Sequence, residues 1–481
     1  MSNLAKESAM NRINALLDEN SFVEIGGLVT ARSTDFNMQD KVAASDGVIT
    51  GYGVIDNSLV YVYSQDASIL GGTVGEMHAK KISRLYDMAV KMGAPVVALV
   101  DCAGLRLEEA ADALNAFGEV YAKQAAASGV VPQITAVFGT CGGGMGVMAS
   151  LSDFTFMAED GKLFVNAPNT LDGNRAEKCD TASAAYQAEI SGMADYTGTE
   201  DEVLAGIRQL VSVLPMNNDD FAEEQCADDL NRVCENLADC VGDTEIALEN
   251  LADAGTFFEI KKAYAKNMVT GFMKLNGITV GAVANRATVY DEEGKAEELG
   301  TALTAEGCEK AADFVNFCDA FNIPVLTLTN ASGFAATVDN EKRIAKAAAK
   351  LTYAYAEATV PKVNVVVGQA MGNAYNVMNS KACNADIVYA WPDAKIGTMD
   401  SDAAVRIIYA EELKKAEDSV AFINEKKAEY ETLQVSAASA AKRGYVDSII
   451  APEDTRKYVI GAFEMLYTKK EERPAKKHGT V

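Results

Sequence analysis

The chain repeats itself at very long period, so whatever fold the first half adopts the second half must adopt as well. Gly51 lies in VITGYGVIDNSLVYVYS and Gly271 in MVTGFMKLNGITVGAVAN, 220 residues apart, and both segments read as strand, turn, strand. Each is followed by a helix and an apolar strand: SRLYDMAVKMGAPVVALVDCAG ends at Gly104 and ADFVNFCDAFNIPVLTLTNASG at Gly333, 229 residues apart. A second such unit keeps that offset of 229, with Pro132 in YAKQAAASGVVPQITAVFGTCGGGMG matching Pro361 in TYAYAEATVPKVNVVVGQAMGNAYN. A constant offset over two consecutive units predicts two copies of one α/β fold. The runs PVVALV, ITAVFG, PVLTL and VNVVVG suit parallel strands buried on both faces and joined by right-handed helical crossovers.

Composition sets the remaining limits. At 481 residues, 49% hydrophobic and 23% charged, the chain is of ordinary globular type and long enough for more than one core. The acidic stretch from Met216 to Thr244, in which NNDDFAEEQCADD gives way to a Cys-containing amphipathic helix, is the expected linker between domains at residues 1–245 and 246–481. No window holds the roughly 18 consecutive apolar residues of a spanning helix, and the first twenty or so residues read as a polar amphipathic helix rather than a secretory signal. The expectation is a cytoplasmic protein that does not insert into a membrane. A formal net charge of −26 argues against a nucleic-acid partner. Nine cysteines without a CxxC pair, and only two histidines, His78 and His478, leave no zinc ligand set and no disulfide framework, so no metal is expected.

Several segments carry a family resemblance. DGVITGYG (Asp46–Gly53), SQDASILGGTVGEMHAKKI (Ser64–Ile82) and SGVVPQITAVFGTCGGG up to Gly144 resemble the carboxyltransferase subunits of biotin-dependent acyl-CoA enzymes. So do FFEIKKAYAKNMVTGF, FCDAFNIPVLTL, LTYAYAEATVPKV, YAWPDAKIG and RGYVDSIIAPEDTR in the second half. The resemblance, to propionyl-CoA carboxylase beta and methylmalonyl- or glutaconyl-CoA decarboxylase alpha subunits, spans nearly the whole chain. It implies tandem crotonase-like (ClpP/crotonase) α/β domains, the first serving acyl-CoA and the second biotin. It also implies a homohexamer whose biotin arrives on a carrier protein, with a biotin carboxylase or a membrane decarboxylase subunit as the further partner.

Moving a carboxyl group between biotin and the carbon beside a thioester generates two oxyanions, an enolate and a ureido oxygen. Both require preorganised donors, and backbone N–H groups at a glycine-rich strand-to-helix turn supply them while letting a ligand approach the chain closely. Thr140, Cys141, Gly142, Gly143 and Gly144 form such a turn between ITAVF and the helical MGVMASLSDF. By resemblance, Gly143 and Gly144 hold the thioester oxygen. Adding 229 places their counterparts at Gly372 and Asn373, with Ala374 matching Met145, as the biotin-side turn. The Gly71–Gly72 loop and Gly142 are expected near coenzyme A. Arg106, Glu108 and Glu109 match the acyl-CoA-side segment, with a surface salt bridge as the competing role. His78 is read as structural. The AVKM tetrapeptide at Ala89–Met92 is not a biotin attachment site, because it lies inside a helix rather than on a hairpin tip.

The second half also departs from the family pattern. A Pro-Gly-Phe loop is replaced by ASGFAATVDNEKRIAKAAAK (Ala331–Lys350), a turn glycine by Asn373, and an aspartate connected with acyl preference by Asn376. A Gly-Gly turn and a histidine are missing around TASAAYQAEISG (Thr181–Gly192). Two other readings therefore stand beside carboxyl transfer: a non-catalytic paralogue serving as scaffold or regulator, and another crotonase-type acyl-CoA enzyme. The flanks of the first turn, Met145 to Leu151, carry none of the paired carboxylates a hydratase uses.

Overall fold

The computed structural model describes residues 9–41, 43–174, 178–220, 226, 228–290 and 293–474. The chain divides into two compact units, one ending at residue 222 and the other beginning at 223. In the first, a sheet runs in the order β1 (Val23–Glu24), β2 (Val48–Ile55), β3 (Ser58–Gln65), β4 (Val96–Cys102), β5 (Gln133–Gly142), β6 (Phe154–Ala158), β8 (Tyr196–Gly198), while β7 (Lys162–Phe164) pairs with the end of β5. The hairpin β2–β3 is antiparallel and every pair from β3 onward is parallel. Every residue of β4 is buried. The sheet is covered by helices Glu76–Met92 and Ala110–Ala127, packed on each other, and by helices Ala9–Leu16 and Glu200–Val213.

The second unit repeats this order: β9 (Phe258–Ile260), β10 (Met268–Leu275), β11 (Ile278–Asn285), β15 (Val325–Ala331), β17 (Lys362–Met371), β18 (Ile387–Ala390) and β20 (Ser448–Ile449), with β19 (Lys395–Gly397) on the end of β17. Even the register is kept. Val96 pairs with Gln133 in the first unit and Val325 with Lys362 in the second, both 229 further on. The shift of offset from 220 to 229 falls between the hairpin and the next helix, Ala305–Ala320, where the second unit inserts an antiparallel pair, β12 (Thr288–Tyr290) and β13 (Ala296–Glu298). A further short parallel pair joins β14 (Ala302–Leu303) to β16 (Gly333–Phe334). Gly51 and Gly271 sit where the edge strand crosses: a Cβ would lie 2.3 Å from the Val23 carbonyl oxygen in one and 2.6 Å from that of Phe258 in the other.

A common device shapes the functional end of each sheet. The register of β4 on β5 slips between Val100 and Cys102, and that of β15 on β17 between Thr329 and Ala331; the extra residues are on β5 and β17, and Asp101 and Asn330 are the single residues that face each bulge. The Asp101 carboxylate accepts from the Thr140 amide (3.1 Å), and the Asn330 side-chain oxygen accepts from the Gln369 amide (2.9 Å). Gly139 and Gly368 lie beneath these caps, where a Cβ would sit 2.0 Å and 2.5 Å from the capping oxygen.

The segment around Cys234 and Cys240 does not form the expected amphipathic helix. Asn236 adopts a left-handed conformation (φ 60°), which leaves a single short turn at Leu237–Cys240 ahead of helix Thr244–Leu251. Cys234 and Leu237 are buried in the core of the second unit. The rest of the expected linker, residues 221–225 and 227, lies outside the described residues, as does His478. All nine cysteines are free. No helix among the described residues is long and apolar enough to cross a membrane.

The Asn330 cap is testable through Trp391, the only tryptophan, which is buried in the second unit and donates to Thr455 Oγ1 (3.0 Å). Replacing Asn330 with Leu removes the acceptor of the Gln369 amide, on a residue that is itself exposed, and costs about 0.5–1.5 kcal/mol. Chemical denaturation followed by Trp391 fluorescence should show a correspondingly lower midpoint.

Candidate active site

Parallel strands direct their C-terminal ends to one edge of each sheet, and that edge is where the predicted turns fall. In the first unit β5 ends at Gly142, Gly143 takes φ 60°, and helix Gly144–Ser150 begins at once. In the second, β17 ends at Met371, Gly372 takes φ 59°, and helix Gly372–Val377 follows. The left-handed conformation is cheap for glycine alone and reverses the chain sharply enough to aim the next amides outward. Gly104 and Gly333, two residues beyond the end of the preceding strand of each unit, also have positive φ (117° and 148°).

The first turn is firmly held. Gly143 spends its own N–H on the Phe164 carbonyl (2.9 Å), and its carbonyl accepts from Gly146 (3.1 Å). What Gly143 contributes is therefore its conformation, and Gly144 and Met145 carry the first amides of the helix, which by helix geometry have no intrahelical acceptor. A Cβ on Gly143 would meet nothing within 4 Å, so the space above the turn is open. Below it, Tyr121 donates to the Gly144 carbonyl (2.8 Å), and a Cβ on Gly144 would strike the Tyr121 hydroxyl at 2.8 Å. Gly142 is wedged between Phe164 and the Ala103 carbonyl.

Gly71 and Gly72, both left-handed (φ 66° and 64°), lie beside the end of β4: the Gly71 carbonyl accepts from Ala103 (3.2 Å), and a Cβ on Gly72 would lie 2.2 Å from the Asp101 carbonyl oxygen. Arg106 lies in the interior, not on the surface. It is 1% exposed and binds Asp46 (2.5 Å), Glu109 (2.7 Å) and the Thr73 carbonyl (2.8 Å). Removing one member of such a buried pair costs about 3–5 kcal/mol, so its role in the fold is to anchor the loop that carries Gly71 and Gly72. Glu108 alone makes the expected surface pair, with Lys41 (3.2 Å). His78 is fully buried; it faces Asp46 and Gln65, and burial, reinforced by the nearby Arg106 charge, pushes its pKa down to about 3. Lys91 of the AVKM tetrapeptide lies in helix Glu76–Met92, whose Ala89 is buried.

The second turn opens into a cleft of ≈ 560 Å³ lined by Gly372, Asn373, Asn376, Thr398, Tyr430 and Arg443, among others. Asn376 donates to the Asn373 side-chain oxygen (3.2 Å), tying the residue that replaces the second glycine to the helix. Ala374, by contrast, is buried beneath the turn. The far wall is a π-helical turn, Glu431–Val435, entered through Tyr430, which hydrogen-bonds Thr398 (3.0 Å). Of the wall residues, Tyr430 and Gln434 lie between β19 and helix Ala437–Lys442, in a stretch longer than its first-half equivalent, and no repeat singles them out; Arg443 and Tyr445 open the family-like segment RGYVDSIIAPEDTR but are not read there as site residues. Asp101 and Asn330 were legible in principle, since 229 residues separate them. No cluster of metal-ligating side chains occurs among the described residues.

Two such turns on a duplicated fold define a carboxyltransferase scaffold, and comparison with known proteins bears this out. Residues 3–481 match the carboxyl transferase domain family. The chain is 39% identical to the methylmalonyl-CoA decarboxylase subunit alpha of Propionigenium modestum, over 99% of this chain and 93% of that one. It is 41% identical to the propionyl-CoA carboxylase beta chain of Roseobacter denitrificans, over 99% and 94%. A crystal structure of transcarboxylase 12S, described as a hexamer with methylmalonyl-coenzyme A and methylmalonic acid bound, superposes with a TM-score of 0.92 at 36% identity, covering 98% of this chain and 92% of that one. The chain belongs to the carboxyl transferase family, and the tandem crotonase-like fold expected from the sequence is the one it adopts.

Because His78 is neutral in the fold, it binds fewer protons than the unfolded chain between about pH 3 and its ordinary 6.5. Its contribution to stability is complete above 6.5 and drains away as the pH falls toward 3. Replacing His78 with Asn should flatten the loss of stability across that window, measured by denaturant titration at several pH values.

Proposed function

We propose that this chain moves a carboxyl group between biotin on a carrier protein and the α-carbon of a short-chain acyl-CoA of the propionyl- or methylmalonyl-CoA kind. The observation that carries the reading is the pair of left-handed glycines, Gly143 and Gly372, at equivalent strand ends, on a chain of the carboxyl transferase family. On this reading the first unit takes the acyl-CoA. Gly143 sets the backbone, and the Gly144 and Met145 amides face the thioester oxygen as negative charge develops on it. Donors already fixed in place cost no reorganisation when that charge appears. The Gly71–Gly72 loop, held by Arg106, and Gly142 shape the coenzyme A side. Substrates with a carboxyl on the α-carbon lose it to leave the same enolate that carboxylation passes through, so one turn serves both directions.

The second unit takes biotin. Its residues fit the group: the cleft beside Gly372 is large enough for a bicyclic urea, and a Cβ at Gly372 would come within 3.1 Å of the Thr398 carbonyl oxygen and narrow it. Biotin, when bound, supplies the ureido nitrogen that carries the carboxyl group. On this reading the Gly372, Asn373 and Ala374 amides hold the ureido oxygen, and Asn376 keeps the Asn373 side chain tied back beside them. The carrier protein, together with a biotin carboxylase or a membrane decarboxylase subunit, completes the system, and a homohexamer like that of the transcarboxylase 12S structure is the expected assembly. The short acyl chain follows from the company the sequence keeps, with relatives named for propionyl- and methylmalonyl-CoA.

The purified chain should therefore decarboxylate malonyl-CoA and methylmalonyl-CoA faster with free biotin than without. Binding of the CoA esters with no turnover would favour a non-catalytic scaffold or regulator instead. Gly143→Val, which forces a β-branched side chain into a left-handed position and into the open space above the turn, should lower turnover by about 100-fold or more. Asn373→Gly should preserve or improve the use of free biotin, measured as the KM for biotin at saturating malonyl-CoA.

A further inference from the structure

A continuous polar network runs beneath the first turn, all of it in the interior: Asp46, Gln65 and His78 are 0% exposed, and Arg106 and Met145 are 1%. His78 places Nδ1 2.9 Å from the Asp46 carbonyl oxygen, and its Nε2 lies 3.1 Å from Gln65 Nε2. An amide nitrogen can only donate, so the imidazole accepts at Nε2 and carries its proton on Nδ1, which donates to Asp46. Gln65 Nε2 also donates to the thioether sulfur of Met145 (3.7 Å). At the other end Arg106 joins the Asp46 carboxylate to the Thr73 carbonyl. One chain of contacts thus links the loop of Gly71 and Gly72 to the helix that starts at Gly144. The second unit lacks the imidazole, since the residue 229 positions beyond His78 is Gly307.

We propose that Gln65 and His78 are positioning residues for the first oxyanion turn, acting through the Met145 side chain to hold the Gly144 and Met145 amides on the developing thioester oxyanion. The inference rests on the carboxyl-transfer reading above. Met145 has its side chain below the turn and its amide within it, so whatever fixes the thioether fixes the donor. Arg106 and Asp46 anchor the far end, and the imidazole is the rigid spacer between anchor and turn. Buried polar networks of this kind specify one arrangement to the extent that their members are paired; here Gln65 Nε2 is paired on both sides, while Gln65 Oε1 is buried without a partner. The network is neutral at its catalytic end and adds no charge beneath the site. It accounts for a histidine buried beside the turn with no proton to exchange.

The test measures malonyl-CoA decarboxylation with free biotin, together with calorimetric binding of malonyl-CoA, for the full chain and its variants. An oxyanion donor acts in the transition state more than in the bound substrate, so Gln65→Met should lower kcat about tenfold and leave the Kd for malonyl-CoA within about twofold. His78→Asn, which loses the acceptor facing Gln65, should do the same. His78→Gln, which restores an acceptor oxygen at that end, should recover activity to within about threefold of the parent. The Gln65→Met/His78→Asn double variant should be no worse than the weaker single variant. Size-exclusion profile and far-ultraviolet circular dichroism check that each variant is folded. Unchanged kcat in Gln65→Met, binding lost in step with turnover, or strictly additive effects would overturn the assignment. A parent chain that binds malonyl-CoA without biotin-stimulated turnover would remove the reading on which it rests and the assignment with it.

Discussion

Ending a buried parallel strand in a left-handed residue is the constraint on which both candidate sites depend. A strand that ran on would carry its amides into the next ladder pair, and one that ended in an ordinary right-handed turn would point them back across the sheet. Gly143 and Gly372, at φ 60° and 59°, reverse the chain within one residue and present the following amides at the sheet's C-terminal edge. That reversal has to be braced, because the strand beneath it is itself irregular. Asp101 and Asn330, facing the bulges in β5 and β17, supply the brace, each turning a side-chain oxygen onto the bulged strand just before its turn. Glycines at 139 and 368 leave room for the cap.

On this shared frame the two halves have diverged in how their turns are secured. The first is held from below by buried polar groups and by Tyr121, with open space above Gly143. The second stands at the mouth of a cleft walled in part by Tyr430 and Gln434, from a stretch longer than its first-unit equivalent, and carries an asparagine pair at its rim. On the proposed function, the difference matches what each turn would hold. A thioester oxygen needs two donors at a fixed point, whereas a bicyclic urea delivered on another protein needs a recess with an open entrance. Duplication supplied the turn, and the surroundings then specialised.

Much of this could be read from the residues alone. The offset of 229 predicted the register of the central strands and the location of both turns, because parallel strands buried on both faces leave little freedom in where a strand begins and ends. It failed where the chain stops obeying a period. Arg106 reads either as an acyl-CoA-side contact or as a surface ion pair with its neighbours, and only tertiary contact with Asp46, sixty residues earlier in sequence, takes it into the interior. The Cys234–Cys240 segment has helical composition, but Asn236 breaks it by adopting a left-handed angle that no periodicity signals. The part of the cleft wall at Tyr430 and Gln434 had no repeat partner to point it out.

The most direct test of two turns for two oxyanions is a crystal structure of the full chain with a non-reactive CoA thioether analogue of the substrate and free biotin both bound. The account predicts the acyl oxygen within hydrogen-bond distance of the Gly144 and Met145 amides, and the biotin ureido oxygen at the turn formed by Gly372, Asn373 and Ala374. Both ligands at one turn, or a CoA ester seated on the second turn instead of the first, would contradict it.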